Sequence, residues 1–265
     1  MESRIALALA FSFLFMLQSS ALRDQELLGK YTAPSHIVDI LRAHTPFLQT
    51  IVNNCAQEKY RKRRKHLVWR LDDLPHYYIK WDVGRIKGLE IMSACIEKHD
   101  LTHLSVPKKY LYHIPGTPET LDNSNYVVIA EEQKPCGIPL VITEEEAQDI
   151  TTLISQTGYY EFTEKNIIRT APDTITLIDT ECRLKKPSFG LYKLLSRHGL
   201  FDLNAHFTQA ALKHIFHHYL QSVLVDASSY KERYEQILKN IIHQSNDAQW
   251  DYVSFFRQTF PEPAE

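Results

Sequence analysis

The chain has 265 residues, of which 44% are hydrophobic and 23% are charged, and its formal net charge is −2 at pH 7. This composition excludes a generally disordered chain, and a chain of this length can bury the core of one large or two small domains. The near-neutral charge argues against a nucleic-acid-binding protein, because such proteins usually show a strong basic bias. We interpret the one basic run, Arg61–Lys65, as a solvated connector.

The amino terminus has the layout of a secretory signal peptide. Arg4 precedes the uncharged run Ile5–Leu17, and small residues follow at Ser19 and Ala21. We therefore predict that residues 1–21 are a leader and that the mature chain is exported, either secreted or held in a secretory lumen. The apolar run falls short of the ~20 residues needed to cross a bilayer, so we predict no permanent membrane span in the mature chain. Anchoring through an uncleaved leader is the alternative.

The first part of the mature chain combines helical and strand patterns. Apolar residues recur at three- and four-residue steps from Ser35 to about Glu58, which predicts one or two amphipathic helices within an amino-terminal helical segment, 22–66. The β-rich runs His66–Leu71 and His76–Trp81 flank a turn that contains Asp and Pro, so they predict a hairpin. The pattern then predicts a helix over Arg85–Lys98.

The middle of the chain changes from strand to helix. Val106–Ile114 reads as extended, Tyr126–Ala130 predicts a strong strand, and a polar connector, Glu131–Pro135, follows it. Thr143 then opens a predicted helix that has an acidic first turn and runs to about Gln156. The pattern therefore separates a strand-rich part of the chain from a helical part.

The residues beyond Gly190 are predominantly helical in pattern. The predicted helices are Tyr192–His198, Thr208–Val225, Tyr230–Gln244 and a final one near Trp250–Phe260. We therefore predict an α+β fold with two lobes, in which 67–135 forms a small β-containing amino lobe and 136–265 forms a helical carboxy lobe.

Two short apolar runs each carry one polar residue at the same end of a predicted hairpin. Asn166 precedes the first run, Asp179 ends the second, and the polar turn Ala171–Asp173 lies between them. Such a hairpin would hold an amide oxygen and a carboxylate side by side. These are hard oxygen ligands, and Mg²⁺ favours one or two of them together with phosphate oxygens.

The segment Tyr159–Glu181 resembles the catalytic segment of the protein-kinase-like superfamily. The likeness is closer to the aminoglycoside-phosphotransferase and choline-kinase branch, which reads roughly H-G-D-x-x-x-x-N-I, a loop, and then I-D-x-E. The resemblance implies a two-lobed fold that binds ATP and Mg²⁺ between its lobes and moves a phosphoryl group to a hydroxyl. It assigns the metal ions to Asn166 and Asp179, and Glu181 matches the last acidic position. Glu161 stands where the family has its catalytic Asp, and we expect it to take the place of the base.

The resemblance also assigns roles in the amino lobe. Lys80 ends the run Tyr-Tyr-Ile-Lys, which is similar to the family's V-A-I-K strand, so Lys80 is implied to clamp the nucleotide phosphates. Glu90 on the following helix is implied to orient that lysine, with Glu97 as the alternative. The strand end at Glu131 and Glu132 resembles the hinge, whose backbone groups would hydrogen-bond the adenine edge.

Three hypotheses remain open from the sequence. The first is an active kinase-like enzyme, and the second is a pseudokinase that serves as a binding module. The third is an unrelated, nucleotide-free α+β protein that binds a protein partner. No Gly-rich loop precedes Lys80, neither D-F-G nor A-P-E occurs, and Glu161 replaces the usual Asp, so we expect weak or absent phosphoryl transfer. The acceptor, a protein or a small molecule, is not specified by these motifs.

Cysteine and histidine residues do not form a recognisable metal motif. The four cysteines are Cys55, Cys95, Cys136 and Cys182. They allow two disulfides as well as buried free thiols. His214, His217 and His218 lie on one predicted helix, but the Glu of H-E-x-x-H is absent, so we interpret them as partly exposed structural residues.

Overall fold

The computed structural model of the chain describes residues 22–56, 68–159, 161–180, 190–191, 194–195 and 203–224. Helices and strands are mixed along this part of the chain, which confirms the predicted α+β class. The described residues fall into two compact units. Unit 1 contains the described residues up to Glu90 together with Pro107–Glu132, and unit 2 contains Ile91–Val106 together with the described residues from Gln133 onward.

The secondary structure follows most of the predicted pattern. In chain order the elements are a helical stretch at 22–30, α1 (Ser35–Ala43), α2 (Thr45–Ala56), β1 (Val68–Trp69), β2 (Tyr77–Lys80), α3 (Gly84–Lys98), β3 (Leu104–Ser105), β4 (Lys109–His113), β5 (Tyr126–Glu131), α4 (Glu144–Thr157), a short 3-10 helix (Glu164–Asn166), β6 (Ile167–Ala171), β7 (Thr174–Leu177), α5 (Leu203–His206) and α6 (Gln209–Leu224). The amphipathic pattern between Ser35 and Glu58 thus forms two helices. The two-residue strand β3 was not predicted.

Unit 1 is built on a four-stranded antiparallel sheet with the order β1-β2-β5-β4. The predicted hairpin is present as β1 and β2, in which Val68 pairs with Lys80. At the β4 edge of this sheet, Thr32 forms a short parallel bridge with Leu111 of β4. Apolar side chains from α1, α2 and the sheet form the core of this unit, among them Ile37, Leu41, Leu48, Ile79 and Ile129.

Unit 2 combines a three-stranded sheet with helices. The strand order is β3-β7-β6, with β3 parallel and β6 antiparallel to β7. Helix α4 packs on α6, and the shared core includes Ile150, Leu153, Ile175, Leu177 and Phe216. The β6–β7 hairpin is therefore supported by a buried apolar layer.

Helix α4 begins and ends where its sequence predicts. Thr143 caps the helix, because its Oγ1 accepts from the Glu146 N–H at 3.3 Å while the Glu146 carboxylate accepts from the Thr143 N–H at 2.8 Å. Gly158 terminates the helix with φ 65°, a left-handed conformation that glycine adopts without steric cost.

A buried ion pair ties α4 to the β6–β7 hairpin. The Arg169 guanidinium donates to both carboxylate oxygens of Glu146, at 2.5 and 2.9 Å, and also to the backbone oxygens of Pro172 and Val141 at 2.8 Å. The hydrogen bonds to Glu146 raise the pKa of Arg169 against the opposing effect of burial. Because both charges are buried and hydrogen-bonded, this pair fixes the position of the hairpin on α4.

Several sequence-based predictions fall on residues outside the described part of the chain. They are the leader 1–21, the helices Tyr230–Gln244 and Trp250–Phe260, and residues Glu181 and Cys182. The other three cysteines are free thiols, buried at Cys55 and Cys95 and exposed at Cys136. Within the described ranges, no helix has the length and apolar character required to cross a membrane.

Candidate functional site

The β6–β7 hairpin brings Asn166 and Asp179 to the same end, as the sequence predicts. Ile167 pairs with Leu177, and one residue further out the Ile178 N–H donates to the Asn166 backbone oxygen at 2.8 Å. Asp179 directly follows Ile178, the residue that faces Asn166 across the hairpin. Its side chain is half-buried. Two oxygen-bearing side chains thus share one hairpin end.

The loop before the hairpin is closed on itself by Asn166. Its side-chain Nδ2 donates to the Glu161 backbone oxygen at 3.0 Å, and its N–H donates to the Thr163 backbone oxygen at 2.8 Å. These bonds hold the backbone of Glu161 close to Asn166 in the folded loop. Among the described residues none donates to Oδ1 of Asn166, the amide atom suited to bind a cation.

Tyr159 connects the start of this loop to Asp179. The Tyr159 side chain is buried, its Oη donates to the Asp179 backbone oxygen at 2.5 Å, and its ring meets Phe162 edge-on at a centroid distance of 5.8 Å. Gly190 is required beside it, because a Cβ there would lie 2.7 Å from the Tyr159 backbone oxygen. No role was predicted for Tyr159 from the sequence, where it is only the first residue of the kinase-like segment. Its position two residues before Glu161 was the available signal.

Lys80 is buried at the end of an internal strand. Only 7% of its surface is exposed, and β2 places it between Val68 on β1 and Val128 on β5. Buried lysines are uncommon, so this burial favours a specific role over the exposed position that most lysines occupy. Arg85 and Lys109 are also buried in unit 1, and neither was singled out from the sequence.

The structure gives Glu90 other partners than the predicted lysine. Its carboxylate accepts from Lys30 Nζ at 2.7 and 3.0 Å and also from Tyr31 Oη. Burial would raise the pKa of Glu90, but the hydrogen bonds from Lys30 and Tyr31 outweigh burial and lower the pKa. A pair between Lys80 and Glu90 is not among the contacts of Glu90 in the described residues. The predicted role of Glu90 in orienting Lys80 stays a prediction.

The backbone donors of the predicted hinge are already used within the sheet. The Glu131 N–H donates to the Lys108 backbone oxygen at 2.9 Å, and the Glu132 N–H donates to the His76 backbone oxygen at 2.8 Å. The Glu132 carboxylate accepts a hydrogen bond from Arg70. These two N–H groups therefore cannot donate to an adenine edge. A nucleotide would have to hydrogen-bond to backbone groups of the connector beyond Glu132.

The three histidines on α6 contact helix α4 or one another. His214 Nε2 lies 3.0 Å from Thr151 Oγ1 on α4, and the rings of His214 and His218 are 4.5 Å apart. Burial lowers the pKa of both residues, and repulsion from neighbouring histidines adds to the effect. Within the described part of the chain, no group of three or more His, Cys, Asp or Glu residues is arranged to hold a metal ion.

This cluster predicts loss of stability on acidification. The folded pKa values of His214 and His218 lie below the ordinary value of 6.5, so the unfolded chain binds protons more readily and stability falls as the pH drops through that value. We expect the melting temperature to fall by a few degrees between about pH 7.5 and about pH 5.5. His218→Gln should reduce this fall. The same change at the exposed His36 should not, and an equal pH response of all three proteins would contradict the prediction.

Within unit 2, the hydrogen bonds described above hold the backbones of Tyr159, Glu161, Asn166 and Asp179 near one end of the hairpin. The Asn166 amide oxygen and the Asp179 carboxylate are of the ligand type that a hard cation prefers. No family model, curated protein or solved structure matches the chain.

Proposed function

We propose that the protein is an exported, kinase-like nucleotide-binding protein with a two-lobed arrangement, weak or absent in phosphoryl transfer. The observation that carries the proposal is the closed loop before β6. There the Asn166 side chain donates to the Glu161 backbone oxygen, and the Asn166 backbone oxygen accepts from the Ile178 N–H. Asp179 is the residue directly after Ile178.

The donor set at the hairpin end fits Mg²⁺. Asn166 Oδ1 and the Asp179 carboxylate would be the protein ligands, because Mg²⁺ bound with a nucleotide takes most of its remaining ligands from phosphates and water. The bound ion would neutralise charge on the phosphates. Glu161 would lie at the position from which an acceptor hydroxyl is oriented, since Asn166 fixes its backbone.

Unit 1 would supply the cationic partner of the phosphates. Lys80 is the residue with this role in the proposal, and its burial at the end of β2 would limit the number of positions that its side chain can take. The adenine contact would come from the connector after Glu132, for the reason given above. The leader pattern at 1–21 supports export, and the acceptor would be a protein or a small molecule with a hydroxyl group.

A thermal-shift measurement tests this function directly. Purified protein is melted with ATP alone, with MgCl₂ alone, with both, and with both plus excess EDTA. We expect the melting temperature to rise with ATP and Mg²⁺ together and to return to its starting value with EDTA, because a ligand that binds only the folded state stabilises it. GTP and ADP serve as specificity controls. An unchanged melting temperature in every condition would exclude the proposed function.

A nucleotide-free interaction module is the second candidate. It is favoured by two observations in unit 1: the backbone donors of Glu131 and Glu132 are occupied within the sheet, and Glu90 is bound by Lys30 and Tyr31. The absence of a Gly-rich loop before Lys80 in the sequence points the same way. The thermal-shift experiment separates the two candidates, since the interaction module predicts no response to ATP and Mg²⁺.

A further inference from the structure

Two of the three histidines on α6, His214 and His218, lie one helical turn apart on the same face of the helix. A spacing of four residues brings helix side chains together. The centroids of the two rings are 4.5 Å apart, and the rings are tilted by 47°. Two imidazoles that bind one ion through nitrogen at about 2.0–2.1 Å have their centroids roughly 5 Å apart. The two rings are therefore close to the separation that a shared metal ion requires.

The hydrogen bonds of Thr151 determine which nitrogen of His214 carries the proton. Thr151 Oγ1 donates to the Gln148 backbone oxygen at 3.0 Å and also lies 3.0 Å from His214 Nε2. Because a hydroxyl has only one proton, both hydrogen bonds form together only when His214 donates from Nε2. His214 Nδ1 then carries a lone pair. Histidines that bind metal ions typically donate their other ring N–H to a fixed acceptor in this way.

The remaining ring nitrogens of the pair are available to a ligand. Among the described residues, none hydrogen-bonds to Nδ1 of His214 or to either ring nitrogen of His218. Both side chains are half-buried, so solvent reaches them. The chain thus offers two nitrogen ligands at this place, and water would complete the coordination of an ion.

We propose that His214 and His218 together bind a divalent late transition-metal ion of the Zn²⁺ class. Imidazole nitrogen suits such ions, whereas Mg²⁺ prefers oxygen ligands. Thr151 is a positioning residue, because it holds His214 through Nε2 and leaves Nδ1 for the metal ion. This site is separate from the hairpin end of Asn166 and Asp179, and the inference does not rest on the proposed function.

The test measures Zn²⁺ affinity of the full-length protein by titration calorimetry at about pH 7.5, where histidine is neutral and can bind metal. His214→Gln and His218→Gln should each weaken the binding by roughly tenfold or more, because the second nitrogen of the wild type binds within the same molecule. Thr151→Val keeps the shape of the side chain but removes the acceptor, and it should weaken binding by about tenfold. The control His36→Gln, which changes an exposed histidine of unit 1, should bind like the wild type. Mg²⁺ in place of Zn²⁺ should give no heat that depends on these histidines.

Proton–nitrogen NMR spectra of the histidine rings in the wild type give a readout that needs no variant. We expect His214 to carry its proton on Nε2 before Zn²⁺ is added. Zn²⁺ should then shift the Nδ1 resonance of His214 and one ring-nitrogen resonance of His218. Equal Zn²⁺ affinity in the wild type, His214→Gln and His218→Gln would place the binding at other residues and overturn the proposal. Ring resonances that do not move when Zn²⁺ is added would overturn it as well.

Discussion

Replacing Asp179 by asparagine is expected to abolish the stabilisation of the protein by ATP and Mg²⁺. Asparagine keeps the size and shape of the side chain but removes the negative charge, and Mg²⁺ depends on that charge in a site with one protein carboxylate. The fold should be retained, because the contact that Tyr159 makes is with the backbone oxygen of Asp179. The measurement is the thermal shift with and without Mg²⁺–ATP, supported by a circular dichroism spectrum.

The hairpin offers a matched control for this experiment. Asp173 lies in the turn at the other end of the same hairpin and is exposed, so Asp173→Asn makes the same chemical change away from the site. This variant should respond to Mg²⁺–ATP like the wild type. If Asp179→Asn also kept the full response, Asp179 would not be a metal ligand and the kinase-like reading would lose its main support.

Elements that depend on neighbouring residues were predictable from the sequence. Helix α4 is specified by its own Thr143 cap, its acidic first turn and Gly158, all within the segment itself. The β6–β7 hairpin is specified by two apolar runs around a polar turn, and its register places Asn166 near Asp179. The local sequence pattern therefore predicts that Asn166 and Asp179 lie at the same end of the hairpin.

Features set by distant pairings were not predictable in the same way. Glu90 takes its partners from residues about 60 positions earlier, so no local pattern on α3 reveals that its carboxylate is occupied. Likewise, β5 lies between β2 and β4, and this position decides that the N–H groups of Glu131 and Glu132 bond within the sheet. The two-residue strand β3 is too short to show any periodicity.

Glu161 is the position where the sequence departs most clearly from the family, and its substitution should reveal how much that departure costs. The backbone of Glu161 is fixed by Asn166, so its longer side chain must place the carboxylate further from the loop than aspartate would. An offset of about 1 Å or more can reduce a rate by around 10²-fold. We therefore expect the wild type to bind nucleotide yet to transfer phosphate slowly or not at all.

Glu161→Asp should raise phosphoryl transfer by up to about 10²-fold, because it returns the carboxylate toward the position that orients an acceptor hydroxyl. Binding of ATP and Mg²⁺ should be unchanged, since it rests on other residues. The measurement is transfer of labelled phosphate to a panel of hydroxyl acceptors. Glu164→Asp, the same shortening at an exposed position of the same loop, is the matched control and should leave transfer unaltered.

Two other outcomes would change the interpretation of Glu161. Transfer that stays at the wild-type level in Glu161→Asp, with binding intact, would mean that side-chain length is not what limits the rate, and the missing Gly-rich loop would become the main cause. Rapid turnover by the wild type that is lost in Glu161→Gln would contradict the expectation of weak transfer. Glutamate would then be a working base at this position, because the amide keeps the length of the side chain but cannot accept the proton of the acceptor hydroxyl.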